Sequence, residues 1–178
     1  GVANDVTLTN ATLAAENTTN GNITITSGKD ITASGSIKAG KNAAMTATGT
    51  INSSNTTNAG NNIDLTAGTS IDANGDMTAG GDISLKATTK DVSVSNNTIT
   101  AGKVDLLAGS ADETNWEAND DNDLSVTNVN INATGAVTAK GDVAAIDNST
   151  IKGSSVAISS NGIDVDKQVI TDNESTIT

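Results

Sequence analysis

Most of the ionisable side chains in this sequence are carboxylates, 21 Asp and Glu against nine Lys. Aspartates recur in pairs within short spans, as Asp64 with Asp72 and Asp82 with Asp91. Two carboxyl groups can act as general acid and base in the hydrolysis of a glycosidic bond. An enzyme of that kind also uses aromatic or arginine contacts to the sugar, but the chain has no Phe, Tyr or His, and all nine basic residues are Lys. Because aspartate is also an ordinary turn residue, the composition favours a protein that is not an enzyme.

A second group of acidic residues lies in the segment Gly109–Ser125, which reads GSADETNWEANDDNDLS and contains the only aromatic residue of the chain. Tryptophan is enriched at binding hot spots because one side chain buries a large area. The sequence therefore predicts a candidate binding site at six residues of this segment: Glu113, Trp116, Glu117, Asp120, Asp121 and Asp123. The alternative is that Trp116 folds back as a cover for apolar side chains.

Three of these acidic residues, Asp120, Asp121 and Asp123, supply the oxygen ligands that Ca²⁺ accepts. They lack the spacing of an EF-hand loop, so a solvated acidic loop is the alternative to a calcium site. Apart from Ca²⁺, no cofactor is expected.

The charge and hydropathy of the chain limit the classes of partner that can be expected. The formal net charge is −12 and the lysines are scattered, which argues against nucleic acid and anionic membrane surfaces as partners. No span of 18 apolar residues is present, so no membrane insertion is expected. The scarcity of aromatic residues is typical either of a disordered chain or of a core that is too narrow for rings.

Periodicity favours the narrow core. A first column of alternating apolar pairs begins at Ile23, Ala43, Ile63, Ile83 and Val104, at spacings of 20, 20, 20 and 21 residues. A second column begins at Ile31, Ile51, Ile71 and Val92, and a third begins at Ile37, Thr57, Met77, Ile99 and Val137. Each pair has the i, i+2 spacing of a strand with one buried face. Three short strands in each repeat of about 20 residues predict a parallel β-helix. With Val6, Val143 and Ile163 added to the first column, the chain has about eight coils.

Glycine and asparagine mark one corner of each predicted coil. Gly35, Asn55, Gly75, Asn97 and Gly135 stand two residues before a third-column strand. These two residue types tolerate positive φ best. We therefore predict a left-handed residue at this corner, and at Gly75 in particular.

The regular spacing of the columns is interrupted once, in the segment Gly109–Ser125. The first and second columns are normally eight residues apart, but Val129 follows Val104 after 25 residues. Insertions in solenoids map to loops on one face, so we predict an acidic loop at 109–125. The alternative is one additional, degenerate coil headed by Leu124 and Val126.

The repeated phrases have a known counterpart. AGKNAAMTATGTI, AGNNIDLTAGTSIDANGDMTAGGDISLKA and ATGAVTAKGDVAA resemble the haemagglutinin-type repeats of filamentous-haemagglutinin-like exoproteins, the large secreted adhesins of bacterial two-partner secretion systems. The resemblance covers residues 21–109 well and 124–166 more loosely. It implies a right-handed parallel β-helix, export in unfolded form through an outer-membrane pore, and a role as fibre shaft in adhesion or contact-dependent delivery, with cell adhesion and virulence as the expected context. It implies no catalytic residues, and the acidic insertion is not part of its repeat pattern.

The sequence thus predicts an all-β solenoid, residues 1–178, as one segment of a longer chain. We expect a secreted, non-enzymatic shaft or spacer of a bacterial surface adhesin. Its expected partners are a receptor or glycan on a host or neighbouring cell and the secretion pore during export. The absence of cysteine suits an exported protein that ladders and a stacked core hold together. The alternative is a receptor- or polysaccharide-binding module that uses the 109–125 loop.

Overall fold

The three predicted columns are present as stacked strands. The computed structural model describes residues 4–109, 123–160, 162–166, 169–171 and 175–177, and the side chains of these residues up to position 160. Within these ranges the chain consists of strands and turns without a helix, and no helix there is long and apolar enough to cross a membrane.

The first column is a sheet of eight strands within the described ranges: β2 (Ile23–Ser27), β4 (Ala43–Ala47), β7 (Ile63–Ala67), β10 (Ile83–Ala87), β13 (Val104–Ala108), β16 (Ala136–Lys140), β19 (Ser155–Ser159) and β22 (Ser175–Ile177). The second column contains β5 (Ile51–Ser53), β8 (Ile71–Ala73), β11 (Val92–Ser95), β14 (Leu124–Thr127), β17 (Val143–Asp147) and β20 (Gly162–Asp166). The third column contains β6 (Thr56–Ala59), β9 (Met77–Ala79), β12 (Thr98–Ala101), β15 (Asn130–Ala133), β18 (Thr150–Lys152) and β21 (Val169–Thr171). Two longer strands, β1 (Val6–Ala15) and β3 (Ile31–Ala39), pass through the corner and join the second and third columns into one sheet.

All strand pairs between successive turns are parallel, and equivalent residues stack in register. Ile63 pairs with Ala43 below and Ile83 above, and Leu65 pairs with Met45 and Leu85. The chain is therefore a parallel β-helix, and the predicted fold class is confirmed, with about seven turns where about eight coils were expected. The eight first-column strands span seven steps of about 4.8 Å, or roughly 34 Å.

The core is a single column of aliphatic side chains. One turn buries Ile63, Leu65, Ile71, Ala73, Met77 and Ala79, each at most 6% exposed, as the sequence predicts. Ile, Leu, Val and Met fill most inward positions early in the strands, and alanine ends 11 of the 22 strands. Stacked aliphatic side chains supply the buried apolar area, so the described core forms without aromatic residues.

Backbone turns between the third and first columns stack closely. The side-chain Oδ1 of Asn22 accepts a hydrogen bond from the N–H of Asn42 at 3.2 Å, and Asn42 does the same for Asn62 at 3.2 Å. In the same turns, a Cβ on Gly60 would collide with the carbonyl oxygen of Gly40. Close stacking requires glycine there, and the asparagine column extends the hydrogen-bond ladder through the turn.

The structure corrects four column assignments. Val137 lies in the first column, opposite Val104, and not in the third. Val6 lies in the second column, opposite Ile31. Ile163 also lies in the second column, opposite Ala144, and Val143, which was assigned to the first column, precedes Ala144 and is exposed.

These errors have one main cause in the later turns. The second-column strand that follows the insertion begins at Leu124, which pairs with Val92, and not at Val129. Leu124 and Val126 therefore head neither a loop nor an additional coil. The insertion is shorter than predicted, because Leu124 and Ser125 belong to β14, and it lies at residues 109–123.

Candidate functional site

The insertion is the binding site that the sequence predicts, and the structure describes only its two ends, Gly109 and Asp123. Five of the six predicted binding residues lie outside the described residues: Glu113, Trp116, Glu117, Asp120 and Asp121. Asp123 is exposed immediately before β14. Its N–H donates to Oδ1 of Asp91 at 3.0 Å, and its carbonyl oxygen accepts from the N–H of Val92 at 3.0 Å. The backbone of Asp123 thus belongs to the inter-turn ladder, and binding by the six residues stays a prediction.

The two aspartates of the first pair lie on different strands. Asp64 lies on β7 in the first column, and Asp72 lies on β8 in the second column. Partial desolvation by neighbouring protein atoms, with the charge of Asp82 as a second cause, raises the pKa of the Asp64 carboxyl. In the described part of the chain, no three acidic side chains come together as a possible metal site.

A groove lies at the corner between the second and third columns. It occurs in the later turns, where this corner contains one residue more than in the earlier turns. In earlier turns, four positions separate the last buried residue of one strand from the first buried residue of the next, as in Ala33–Ile37 and Ala73–Met77. In later turns the separation is five positions, as in Val94–Ile99, Val126–Ile131 and Ile146–Ile151. The additional residue widens the corner.

That additional residue is an asparagine in the left-handed conformation. Asn96, Asn128 and Asn148 have φ values of 53°, 56° and 47°. Asparagine is one of the few residues other than glycine that adopt this conformation at low cost. Asn10, at a bulge of β1, has the same conformation with a φ of 48°.

The predicted left-handed corner is therefore only partly right. Gly35 has a φ of 110°, as predicted. The prediction is wrong for Gly75, Asn55, Asn97 and Gly135, which are not among the positive-φ residues of the described chain. At Gly75 the requirement is for space, because a Cβ would collide with the carbonyl oxygen of Asn55 in the turn below.

The three left-handed asparagines form one wall of the groove. Nδ2 of Asn148 donates to Oδ1 of Asn128 at 2.6 Å, and Nδ2 of Asn128 donates to Oδ1 of Asn96 at 3.1 Å. Each amide is exposed. A side-chain ladder along the solenoid axis thus holds these three amides in one orientation.

The opposite wall is formed by the first residues of three stacked third-column strands. Thr98 pairs with Asn130, and Asn130 pairs with Thr150. All three side chains are exposed. At the lower end stands Asp76, whose Oδ1 accepts a hydrogen bond from the N–H of Thr98 at 2.8 Å.

The floor of the groove is the inward-facing residue of each wide corner. Asn97, Val129 and Ser149 are buried. Nδ2 of Asn97 donates to the carbonyl oxygens of Ala73 and Gly75, both at 3.2 Å, but its Oδ1 has no hydrogen-bond partner. A buried acceptor without a donor is rare in folded proteins.

The narrow corner of an earlier turn has the same polar residue type with all groups satisfied. Asn55 is buried, and its Oδ1 accepts from Oγ of Ser53 at 2.8 Å while its Nδ2 donates to Oγ1 of Thr57 at 2.6 Å. The unsatisfied Oδ1 is thus a feature of Asn97, whose flanking core residues Val94 and Ile99 have no polar atoms in their side chains.

The resulting groove has a volume of about 560 Å³ and runs over the corner of successive turns. Its lining consists of amides, hydroxyls, one carboxylate and one buried valine: Asp76, Asn96, Asn97, Thr98, Asn128, Val129, Asn130, Asn148 and Thr150. Two smaller depressions lie on the same sheet, one of about 250 Å³ around Asn52 and Asp72 and one of about 410 Å³ around Lys38 and Asn58.

Sequence reasoning missed this groove because it aligned the corners on the residue before the third strand. Aligned on the exposed residue after the second strand, the corners contain the recurring asparagines 10, 96, 128 and 148. That recurrence, together with the change from four to five positions, is the signal that would have located the wide corner. Comparison of the chain with protein-family models, curated proteins and solved structures finds no match.

Proposed function

We propose that this chain is a stiff, non-enzymatic shaft segment of a secreted bacterial surface adhesin, which holds a binding region away from the cell. The observation that carries the proposal is the continuous stack, in which successive turns of the described residues pair in parallel register over a mainly aliphatic core. In a solenoid each turn contacts only its neighbours, so length is gained by adding turns while the cross-section stays constant. This is the geometry that a spacer requires.

The chemistry of the outer faces supports the same role. Outward positions of the strands are mostly Thr, Asn, Asp, Ser and Lys, and Val143 is the one large apolar side chain that is exposed within the described residues. A net charge of −12 keeps a long rod soluble. Export through an outer-membrane pore and exposure at the cell surface belong to this proposal, and the repeat resemblance supports them.

The stiffness of the segment can be measured directly, because the chain has no cysteine. Thr24 and Ala157 lie on the same outward position of the first column, joined through Ala44, Asp64, Ser84, Asp105 and Thr138. Spin labels on Thr24→Cys and Ala157→Cys should therefore lie about 29 Å apart, six steps of about 4.8 Å, with a narrow distance distribution. The pair Thr24→Cys and Asp105→Cys should give about 19 Å, four steps. A broad distribution, or distances out of this ratio, would contradict a stiff shaft.

The spacer role is tested by replacing the whole segment with a rod or a linker of known stiffness. The chain is placed between a cell-surface anchor and a module of known ligand, and adhesion of the cells is measured. Adhesion should be retained when an unrelated rigid rod of equal length replaces the chain and should fall with a short flexible linker. Retained adhesion with the short linker, or cleavage of polysaccharides by the isolated chain, would overturn the proposal.

A further inference from the structure

The corner groove has features that a spacer does not need. Its two walls present an ordered row of hydrogen-bonding groups at each of three successive turns. The side chains of Thr98, Asn130 and Thr150 have no partner among the described residues. A shaft needs only polar, soluble faces, and it has them elsewhere.

We propose that the corner groove binds a neutral, hydroxyl-rich polysaccharide that lies along the solenoid axis. Side-chain amides both donate and accept hydrogen bonds, and hydroxyls do the same. Sugar hydroxyls have the same dual character, so every group in the walls can pair with them. Because the groups repeat every turn at about 4.8 Å, the groove fits an extended polymer with a regular repeat.

The charge of the groove selects against polyanions. No lysine lines it, Asp76 is its one charged residue, and the chain as a whole carries −12. A phosphate or sulfate polymer would be repelled. One oxygen of Asp76 accepts from Thr98, and its other oxygen is available to accept from a sugar hydroxyl.

The geometry of the sheet selects against a peptide strand. The strands at the groove, β12 and β15, already pair on both sides with neighbouring turns, so they offer no free edge for strand addition. The groove also lacks an apolar pocket that would anchor a peptide side chain, since Val129 is buried in the floor. Hydrogen bonding is thus what the groove offers.

Asn97 in the floor adds no acceptor that a ligand can reach. Oδ1 of Asn97 has no donor in the described chain, although the polar atoms of Asn55 in the narrow corner are all paired. This oxygen is enclosed by protein atoms, so the groups that a ligand can reach are those of the two walls. Since no ring lines the groove for stacking on a sugar face, binding should depend on several weak hydrogen bonds over successive turns.

The test is a titration of the isotope-labelled chain, followed by amide chemical shifts, with three probes: β-1,4-linked glucose oligosaccharides, dextran and the polyanion heparin. Saturable shifts are expected at Asn128, Asn130 and Thr150 with a neutral glucan and not with heparin. Asn130→Ala should weaken that binding roughly two- to tenfold, the loss of about one hydrogen bond. Asn58→Ala, an exposed asparagine of the same column outside the groove, is the matched control and should leave it unchanged.

Thr150→Ala, also at an exposed position, provides a second variant and should weaken binding in the same range. Absence of saturable shifts with both neutral glucans would overturn the proposal. So would equal weakening by Asn58→Ala, or preferred binding of heparin. The shaft proposal does not depend on this site, since the distance measurements between labelled turns test it separately.

Discussion

At the scale of single residues, the corner asparagines serve the backbone and the surface together. Asn128 has a φ of 56°, and its side chain both donates to Asn96 and accepts from Asn148. The left-handed conformation costs an ordinary residue about 1–2 kcal/mol. The left-handed backbone and the side-chain hydrogen bonds therefore both favour asparagine at this position.

Two substitutions separate these contributions. Asn128→Gly keeps the backbone conformation and loses the two side-chain hydrogen bonds, whereas Asn128→Ala loses the bonds and also adds the left-handed cost. We expect Asn128→Ala to be the less stable variant by about 1 kcal/mol, as measured by urea unfolding. Equal midpoints would mean that the corner relaxes out of the left-handed region. Asn132→Ala, at a position outside the corner on β15, is the control for a lost surface amide.

The pKa of Asp64 gives a prediction with a definite pH dependence. Desolvation and then the charge of Asp82 raise the pKa of this carboxyl in the folded chain above its ordinary value of 3.8. The ionised form is thus less favourable in the folded than in the unfolded state. This cost is absent below about pH 3.8 and is complete above the raised pKa.

Asp64→Asn should therefore increase stability at about pH 7, and this increase should vanish at about pH 3. The measurement is the urea midpoint of both proteins at the two pH values. Ser84→Asn, the neighbouring outward position in the same column, changes no ionisable group and should give a pH-independent difference. An increase of the same size for Asp64→Asn at both pH values would rule out the electrostatic cause.

At the scale of elements, the strands were predictable because each column repeats one simple pattern. In residues 23–108 the strand starts agree closely with the sequence, since corner length and turn length vary there by only one residue. Beyond the insertion, the sequence pattern does not show which column the next strand belongs to. Val129 looks like a strand residue, but its buried side chain belongs to a wide corner. The groove was missed because the corners were aligned on the residue before the third strand, and this alignment hides the additional asparagine of each wide corner.

The insertion itself should be dispensable for the fold. Regular turns between the first and second columns contain three residues, as in Gly68–Ser70, between Ala67 and Ile71. Deleting residues 111–122 leaves Gly109, Ser110 and Asp123, a turn of the same length. The β circular dichroism signal and cooperative unfolding should be retained, because the ladder resumes at Asp123.

Deleting residues 110–123 instead would leave one residue between β13 and β14, and this variant should be clearly less stable. A loss of β structure in the first deletion would show that the insertion supports the core. Glycan and cell binding measured on the first deletion tests the predicted site around Trp116: unchanged binding would remove that site from consideration.

At the scale of the whole molecule, the solenoid is a one-dimensional stack. Each turn buries its core side chains only against the turns above and below it, so coupling between distant turns must pass through every turn between them. A defect in one turn should then act locally. A globular domain with a shared core would lose protection everywhere at once.

Ile63→Asp places this defect in the middle of the stack. Ile63 is fully buried between Ala43 and Ile83, and an unpaired charge there should cost several kcal/mol. Amide hydrogen exchange should accelerate strongly in β4, β7 and β10 but much less in β16 and β19, because the turn of β13 separates them from the disturbed turns. Thr66→Asp places the same charge on the exposed side of the same strand and should leave exchange close to that of the parent chain. If Ile63→Asp accelerated exchange equally in all first-column strands, the turns would unfold as one cooperative unit, and the stack would not behave as a chain of neighbour contacts.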